Sequence, residues 1–425
     1  MILRTVALGL GALATQLTWA TYNAYLPLLY GRFTQSNTLI GLIMVLDNVF
    51  AVLLVPYVAA RSDQVTTRWG RRIPFLAAGM PITALCLLLV PRTASVASLL
   101  ATTLLMNVGL ALAAGPMMAL MPDITPDARR GRANGIINAL AGCGALIAFF
   151  VLAPLSRRQA TVPFDGTGLV VVAALIVIAL VIRERRDALT AGGDPSCAAP
   201  AERVQVAAAA GRGRVLAAVH EASRIRPLAL LGLQGFCAVA AVNGVQNMFT
   251  RFGVHQLGLD AAGATTLLGF FVLTFIAGAV PAGAAGDRYG RVGVMRTGLA
   301  GTFAAFLLAQ AVRTPGPFVL VLLLGGLAWA LYLNNAYPVL LQLIPSARVG
   351  LYSGLWSAVS AVGGLVAPPI YGWTVDALGF GAFFLPGVGF MGIALACGLA
   401  LRVDGATPPG AARLAYGSQA HRQDH

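Results

Sequence analysis

The chain has 425 residues, 58% of them hydrophobic and 10% charged, with a formal net charge of +14 and a mean hydropathy of +0.79. A water-soluble domain cannot bury so large an apolar share, so lipid is the expected solvent. The basic excess does not mark a nucleic-acid binder, because the arginines sit in short loops between apolar runs rather than on one face of a polar domain.

The sequence contains no lysine. That excludes a Walker A lysine and a Schiff-base lysine, and leaves an ion or solute gradient as the natural driving force. Cys86, Cys143, Cys197, Cys237 and Cys397 are too far apart for a CxxC metal site and suggest no disulfide framework. His220, His255, His421 and His425 fall in loops or the tail, and no HExxH, GxSxG or paired catalytic carboxylate is present. No enzyme activity, cofactor or metal is therefore expected.

A hydrocarbon core of roughly 30 Å takes about 20 apolar residues per helix. Charge-poor runs of that kind occur at about 5–30, 38–60, 73–91, 96–121, 133–155, 167–183, 227–250, 263–284, 297–313, 316–340, 350–372 and 378–400. The first starts at Arg4 and stays apolar to Tyr30 with no convincing cleavage pattern, so it reads as a spanning helix and not as a leader. Most arginines lie in the amino terminus, the even-numbered loops and the carboxyl tail. By the positive-inside rule both termini are expected in the cytoplasm of a multi-pass protein of the inner or plasma cell membrane.

Residues 183–226, rich in arginine and alanine after a Gly/Pro/Ser patch, read as a cytoplasmic linker. They divide the chain into a six-helix bundle at 1–182 and another at 227–400, with a cytoplasmic tail at 401–425. The halves repeat. Pro126, Arg129, Gly131 and Gly135 match Pro345, Arg348, Gly350 and Gly354 at an offset of 219, and Asp63 matches Asp287 at an offset of 224. At that second offset Asn23 falls on Asn247. Such duplication predicts an all-α membrane protein of twelve transmembrane helices in two pseudo-symmetric bundles with a site between them.

Two loop motifs carry charge. Gly286-Asp287-Arg288-Tyr289-Gly290-Arg291 follows the eighth run, and Ser62-Asp63 with Arg68-Trp69-Gly70-Arg71-Arg72 follows the second. Glycine permits a tight turn, a carboxylate can accept from a helix N-terminus, and arginines can clamp carboxylates of adjacent loops. These residues are the expected cytoplasmic latch; the alternative is a connector whose arginines only enforce topology.

The G-D-R-x-G-R pattern resembles the signature of the major facilitator superfamily, over essentially the whole chain. Asp63 followed by Thr67-Arg68-Trp69-Gly70-Arg71-Arg72-Ile73-Pro74-Phe75 is similar to the sucrose transporters and the glycoside, pentoside and hexuronide cation symporters. The resemblance implies a sugar or glycoside as substrate. The sequence departs from it in two respects. Counting back from Pro116 to the acid of the sucrose transporters' fourth helix gives Asn107, and the two cation-binding carboxylates of the melibiose type align with Ala51 and Val55.

Asp47, beside Asn48 near the middle of the second run, is the one acid deep in a span, where an ionised carboxylate costs about 2.5 to 3.5 kcal/mol. It lies one turn from Ala51 on the same face, and is the expected proton-coupling residue. Trp19, Tyr22 and Asn23 share a face of the first helix, and Asn243, Gln246 and Asn247 repeat that spacing in the seventh. With Asn48, Asn107, Tyr332, Asn335 and Trp356 they form the candidate substrate set, since amides suit hydroxyls and aromatic rings stack on sugar faces. Each is also explicable as helix glue or an interfacial anchor. The expected function is proton-coupled symport of a sugar or glycoside. The alternatives are an efflux antiporter for drugs or amphipathic compounds, disfavoured by the lack of a Gly-Pro-rich fifth helix, and a solute receptor that does not transport.

Overall fold

In hydrocarbon every backbone N–H and C=O needs a partner within the protein, and a helix supplies that locally. The computed structural model accordingly is almost entirely helical across the residues it describes: 2–65, 67, 69–126, 129–182, 226–344 and 349–401. Arg68, the linker at 183–225, the tail beyond Leu401 and the repeat-motif residues 345–348 lie outside these.

The first helix, α1, runs Ile2–Tyr30. The others are α2 (Asn37–Gln64), α3 (Ile73–Arg92), α4 (Val96–Ile124), α5 (Arg130–Leu155), α6 (Val162–Val181), α7 (Arg226–His255), α8 (Ala261–Tyr289), α9 (Arg291–Ala311), α10 (Pro315–Leu343), α11 (Val349–Leu378) and α12 (Phe380–Ala400). These eleven are long and apolar enough to cross a membrane. Although α1 matches them in length, Thr15, Gln16, Thr18, Thr21 and Asn23 dilute its hydropathy. Among the described residues the only β pairing is an isolated bridge between Thr67 and Gly70.

The helices outrun the apolar runs, because backbone bonding continues past the last lipid-facing residue. Thus α8 extends to Tyr289, and the Gly286-Asp287-Arg288-Tyr289 motif, read as a loop, is the last turn of a helix. Gly290 alone makes the connection to α9, at φ +92.

Besides the 3-10 turns that end α3 (Val90–Arg92) and begin α12 (Phe380–Ala382), α2 and α5 are irregular within their length. In α2 the pattern breaks at Val45, where the Val45 N–H reaches Leu42 O at 3.3 Å, and separates Asn37–Met44 from Leu46–Gln64. In α5 a π turn covers Ala148–Leu152, just before Pro154 withholds a backbone donor.

The chain forms two compact units that differ from its sequence halves. One holds the described residues up to 182 together with Asn243–Gly269 and Gly364–Phe383. In it α1 packs on α5 and α6, α3 on α4 and α6, and α2 on α4. The other holds the remaining described parts of α7, α8, α11 and α12 with α9 and α10. Here α9 packs on α10 and α12, and Phe384 sits against Phe306 and Phe318.

Close approach explains one motif glycine. A Cβ on Gly286 would fall 1.8 Å from Asn335 Oδ1, while the Asn335 side chain donates to Ala282 O at 3.0 Å and so ties α10 to α8. Gly286→Ala is expected to lower stability by about 1–3 kcal/mol through overpacking, read as a drop in the thermal melting point of the purified protein.

Candidate functional site

The break at Val45 starts a new helical segment inside α2, and Asp47 stands in its first turn. The first N–H groups of a helix have no partner within it, and a carboxylate is favoured there. Asp47 Oδ1 accepts from the Asn48 N–H at 2.6 Å and from Asn48 Nδ2 at 2.8 Å. The residue is 6% exposed, and among the described residues it makes no ion pair. A buried carboxylate held only by neutral donors is an arrangement in which gain or loss of one proton changes the local energetics strongly.

Tyr22 of α1 is buried close to Asp47 and Asn107. Its hydroxyl makes no hydrogen bond, and its ring meets Trp19 edge-on with centroids 5.7 Å apart. Asn107 is buried in α4 and donates to Thr103 O at 3.1 Å. From α2 and α7, Asn48 and Asn243 converge on one glycine of α11: a Cβ on Gly364 would lie 3.4 Å from Asn48 Oδ1 and 3.8 Å from Asn243 Oδ1.

One contact shows how α1 and α7 meet. Arg251 donates to Pro27 O at 3.3 Å, and these two positions are themselves 224 residues apart. Asn23 and Asn247 lie one turn earlier on the same two helices. Asn247 donates to Asn243 O at 2.9 Å, while Asn23 Oδ1, Asn247 Oδ1 and Thr250 Oγ1 are buried with no hydrogen-bond partner in the protein. Gln246 is half-buried on α7.

Three of the candidate substrate residues belong to the second unit. Tyr332 is fully buried, its hydroxyl unbonded, beside Gln234 and Trp329. Asn335 makes the α8–α10 tie described above, and the Trp356 ring covers Gly235, where a Cβ would come within 2.7 Å of it.

The two motif copies differ in construction. Arg72, 6% exposed, ion-pairs with Asp63, reaches Asp123 at 3.2 Å and donates to Ser62 Oγ at 2.5 Å, with Arg71 3.9 Å from Asp123. Gly70 turns the chain at φ +118. In the second copy Asp287 pairs with Arg291 at 2.5 Å, in the open, and Arg288 lies over the Tyr289 ring at 5.3 Å.

Sequence reasoning missed Asp123, Asn37, Arg251 and Asp376. Asp123 and Asp376 look like ordinary helix-end acids, and Arg251 follows immediately on an apolar run. The one signal for Arg251 was its place 224 residues after Pro27.

The profile of the Major Facilitator Superfamily matches residues 8–271 and 231–419. The chain belongs to that superfamily of membrane transporters. Among solved structures it is similar to the nucleoside transporter NupG (TM-score 0.73, 13% identity, 94% of this chain and 98% of that one). It is also similar to a bacterial homolog of the human lysosomal transporter Spinster (0.68, 15%, 94% and 94%) and to the peptide transporter POT (0.66, 16%, 94% and 93%). No curated protein matches it in sequence.

Proposed function

We propose that this transporter is a proton-coupled symporter for a neutral, hydroxyl-rich solute of the sugar and glycoside class. The observation that carries the reading is Asp47, buried in the first turn of a broken helix with no ion pair among the described residues, close to Tyr22 and Asn107. The side chains around it are amides and aromatics, which offer hydrogen bonds and ring faces but no charge to match an ionic substrate.

In this reading protonated Asp47 is a neutral hydroxyl donor, and solute binding then leaves no unpaired charge in the site. Exposure to the other side lets the proton leave, and the anion that remains disfavours the loaded form. Coupling follows because loading is best with both ligands present. The arginine distribution orients the Asp63 end toward the cytoplasm, together with both termini.

The test is proton movement. Adding a neutral disaccharide or glycoside to lightly buffered vesicles should draw protons inward with the solute, seen as alkalinisation of the medium. Extrusion of a lipophilic amphipath in exchange for protons, with no response to sugars, would mark the efflux antiporter instead. Asn247→Ala should weaken solute affinity by about two- to tenfold, one buried hydrogen bond being worth about 0.5–1.5 kcal/mol; equilibrium binding to the purified protein measures it.

A further inference from the structure

At the end of α2 opposite Asp63, a single carboxylate gathers the start of the helix. Asp376 of α11 accepts from the Asn37 N–H and Asn37 Nδ2 at 2.8 Å through Oδ1. Through Oδ2 it accepts from the Thr38 N–H at 2.8 Å, Thr38 Oγ1 at 2.6 Å and Ser36 Oγ at 3.2 Å. Ser36 is also the N-cap, accepting from the Leu39 N–H at 3.2 Å. A carboxylate on unpaired N–H groups at the positive end of a helix makes strong, charge-assisted bonds.

A second clamp grips the same residue from α7. The buried Arg251 donates through Nε to Asn37 Oδ1 at 2.8 Å while holding Pro27 O of α1. The α2 and α11 backbones are also in contact: a Cβ on Gly372 would lie 2.2 Å from Asn37 O, and one on Gly41 2.4 Å from Pro368 O. Further along, α11 reaches Asn48 at Gly364. The segment Asn37–Met44 is therefore latched at its start, covered along its length by α11, and separated by the Val45 break from the segment that carries Asp47 and Asn48.

We propose that Asn37–Met44 is the gate over the solute site at this end, hinged at Val45 and latched by Asp376 and Arg251. This rests on the transport cycle proposed above. Opening breaks the bonds of the exposed Asp376 carboxylate to Ser36, Asn37 and Thr38, releases the buried Arg251 guanidinium to water and lets α2 part from α11. The hinge lies two residues before Asp47, so movement of the gate changes the surroundings of the proposed proton site directly. The exposed pair of Arg157 with Asp260, at 2.7 Å on the loops before α6 and α8, does not hold this segment.

Thr250, fully buried one residue before Arg251, reports on the gate. In a cysteine-free background reconstituted in vesicles, Thr250→Cys is labelled with a membrane-impermeant maleimide added to each side separately. Asp376→Ala should raise the labelling rate at least tenfold from one side only. Thr38→Val, which removes one of the five bonds, should give a smaller rise from the same side, and Arg157→Ala none. A rate within twofold of the parent in both Asp376→Ala and Thr38→Val, or an equal rise from both sides, overturns the gate. The one-sided rise in vesicles that show no proton-coupled solute uptake supports the gate and refutes the coupling.

Discussion

Asp47→Asn is expected to abolish solute accumulation driven by an imposed pH difference while sparing solute binding and exchange down a gradient. The asparagine mimics the protonated acid in size and in neutrality. The variant therefore stays in the form that the cycle uses for loading, and the step in which a proton is released no longer exists. The donors now on Asp47 Oδ1, the Asn48 N–H and Nδ2, still find an amide oxygen there, so the break in α2 survives. The expected loss of concentrative uptake is at least a hundredfold, against a change in affinity of a few-fold. Vesicles preloaded with labelled solute separate the two, since exchange persists where accumulation fails. Intact pH-driven accumulation in Asp47→Asn would demote the residue to a structural role.

The second large effect belongs to Arg72. Its guanidinium lies between Asp63 and Asp123, both mostly buried, and also bonds Ser62. Arg72→Met leaves two carboxylates facing each other, with Arg71, 3.9 Å from Asp123, to compensate among the described residues. Removing one partner of such a cluster costs about 3 kcal/mol or more, so a lowered melting temperature and reduced yield are expected. Asp63→Asn is milder because Asp123 still holds the arginine. It should slow transport while leaving affinity within a few-fold, because Asp63 lies at the end of α2, beyond Asp47 and the amides. Asp287→Asn should change stability far less than Arg72→Met, since its pair with Arg291 is exposed and solvent screens it. Thermal melts of the three variants rank them, and equal losses for Arg72→Met and Asp287→Asn would contradict this picture.

The helical architecture was legible because lipid imposes one rule on every span: apolar length shows directly in the sequence. The repeat was read from fixed offsets between loop residues, and 224, one of those offsets, is also the separation of Arg251 and Pro27. The break at Val45 was not, because neither glycine nor proline marks it. The clamps were hidden as well. Arg72 was named as one of several loop arginines, but its partner Asp123 stands 51 residues away in sequence, and Asp376 finds Asn37 across 339. Such pairs are set by how helices pack, and no local pattern announces them. The candidate substrate residues show the same limit. Spacing placed Asn243 and Asn247 on one helix face, where Asn247 bonds Asn243 O, but could not show that Asn335 Nδ2 ties α10 to α8 while its Oδ1, like that of Asn247, is left without a partner.

The most direct measurement is uptake of labelled neutral disaccharides and glycosides into vesicles under three conditions: an imposed pH difference, an imposed sodium difference, and no gradient. Proton-coupled symport predicts that at least one solute accumulates above its external concentration under the pH difference alone, and only equilibrates in the other two conditions. Accumulation under sodium alone, or equilibration without accumulation under all three, would contradict it.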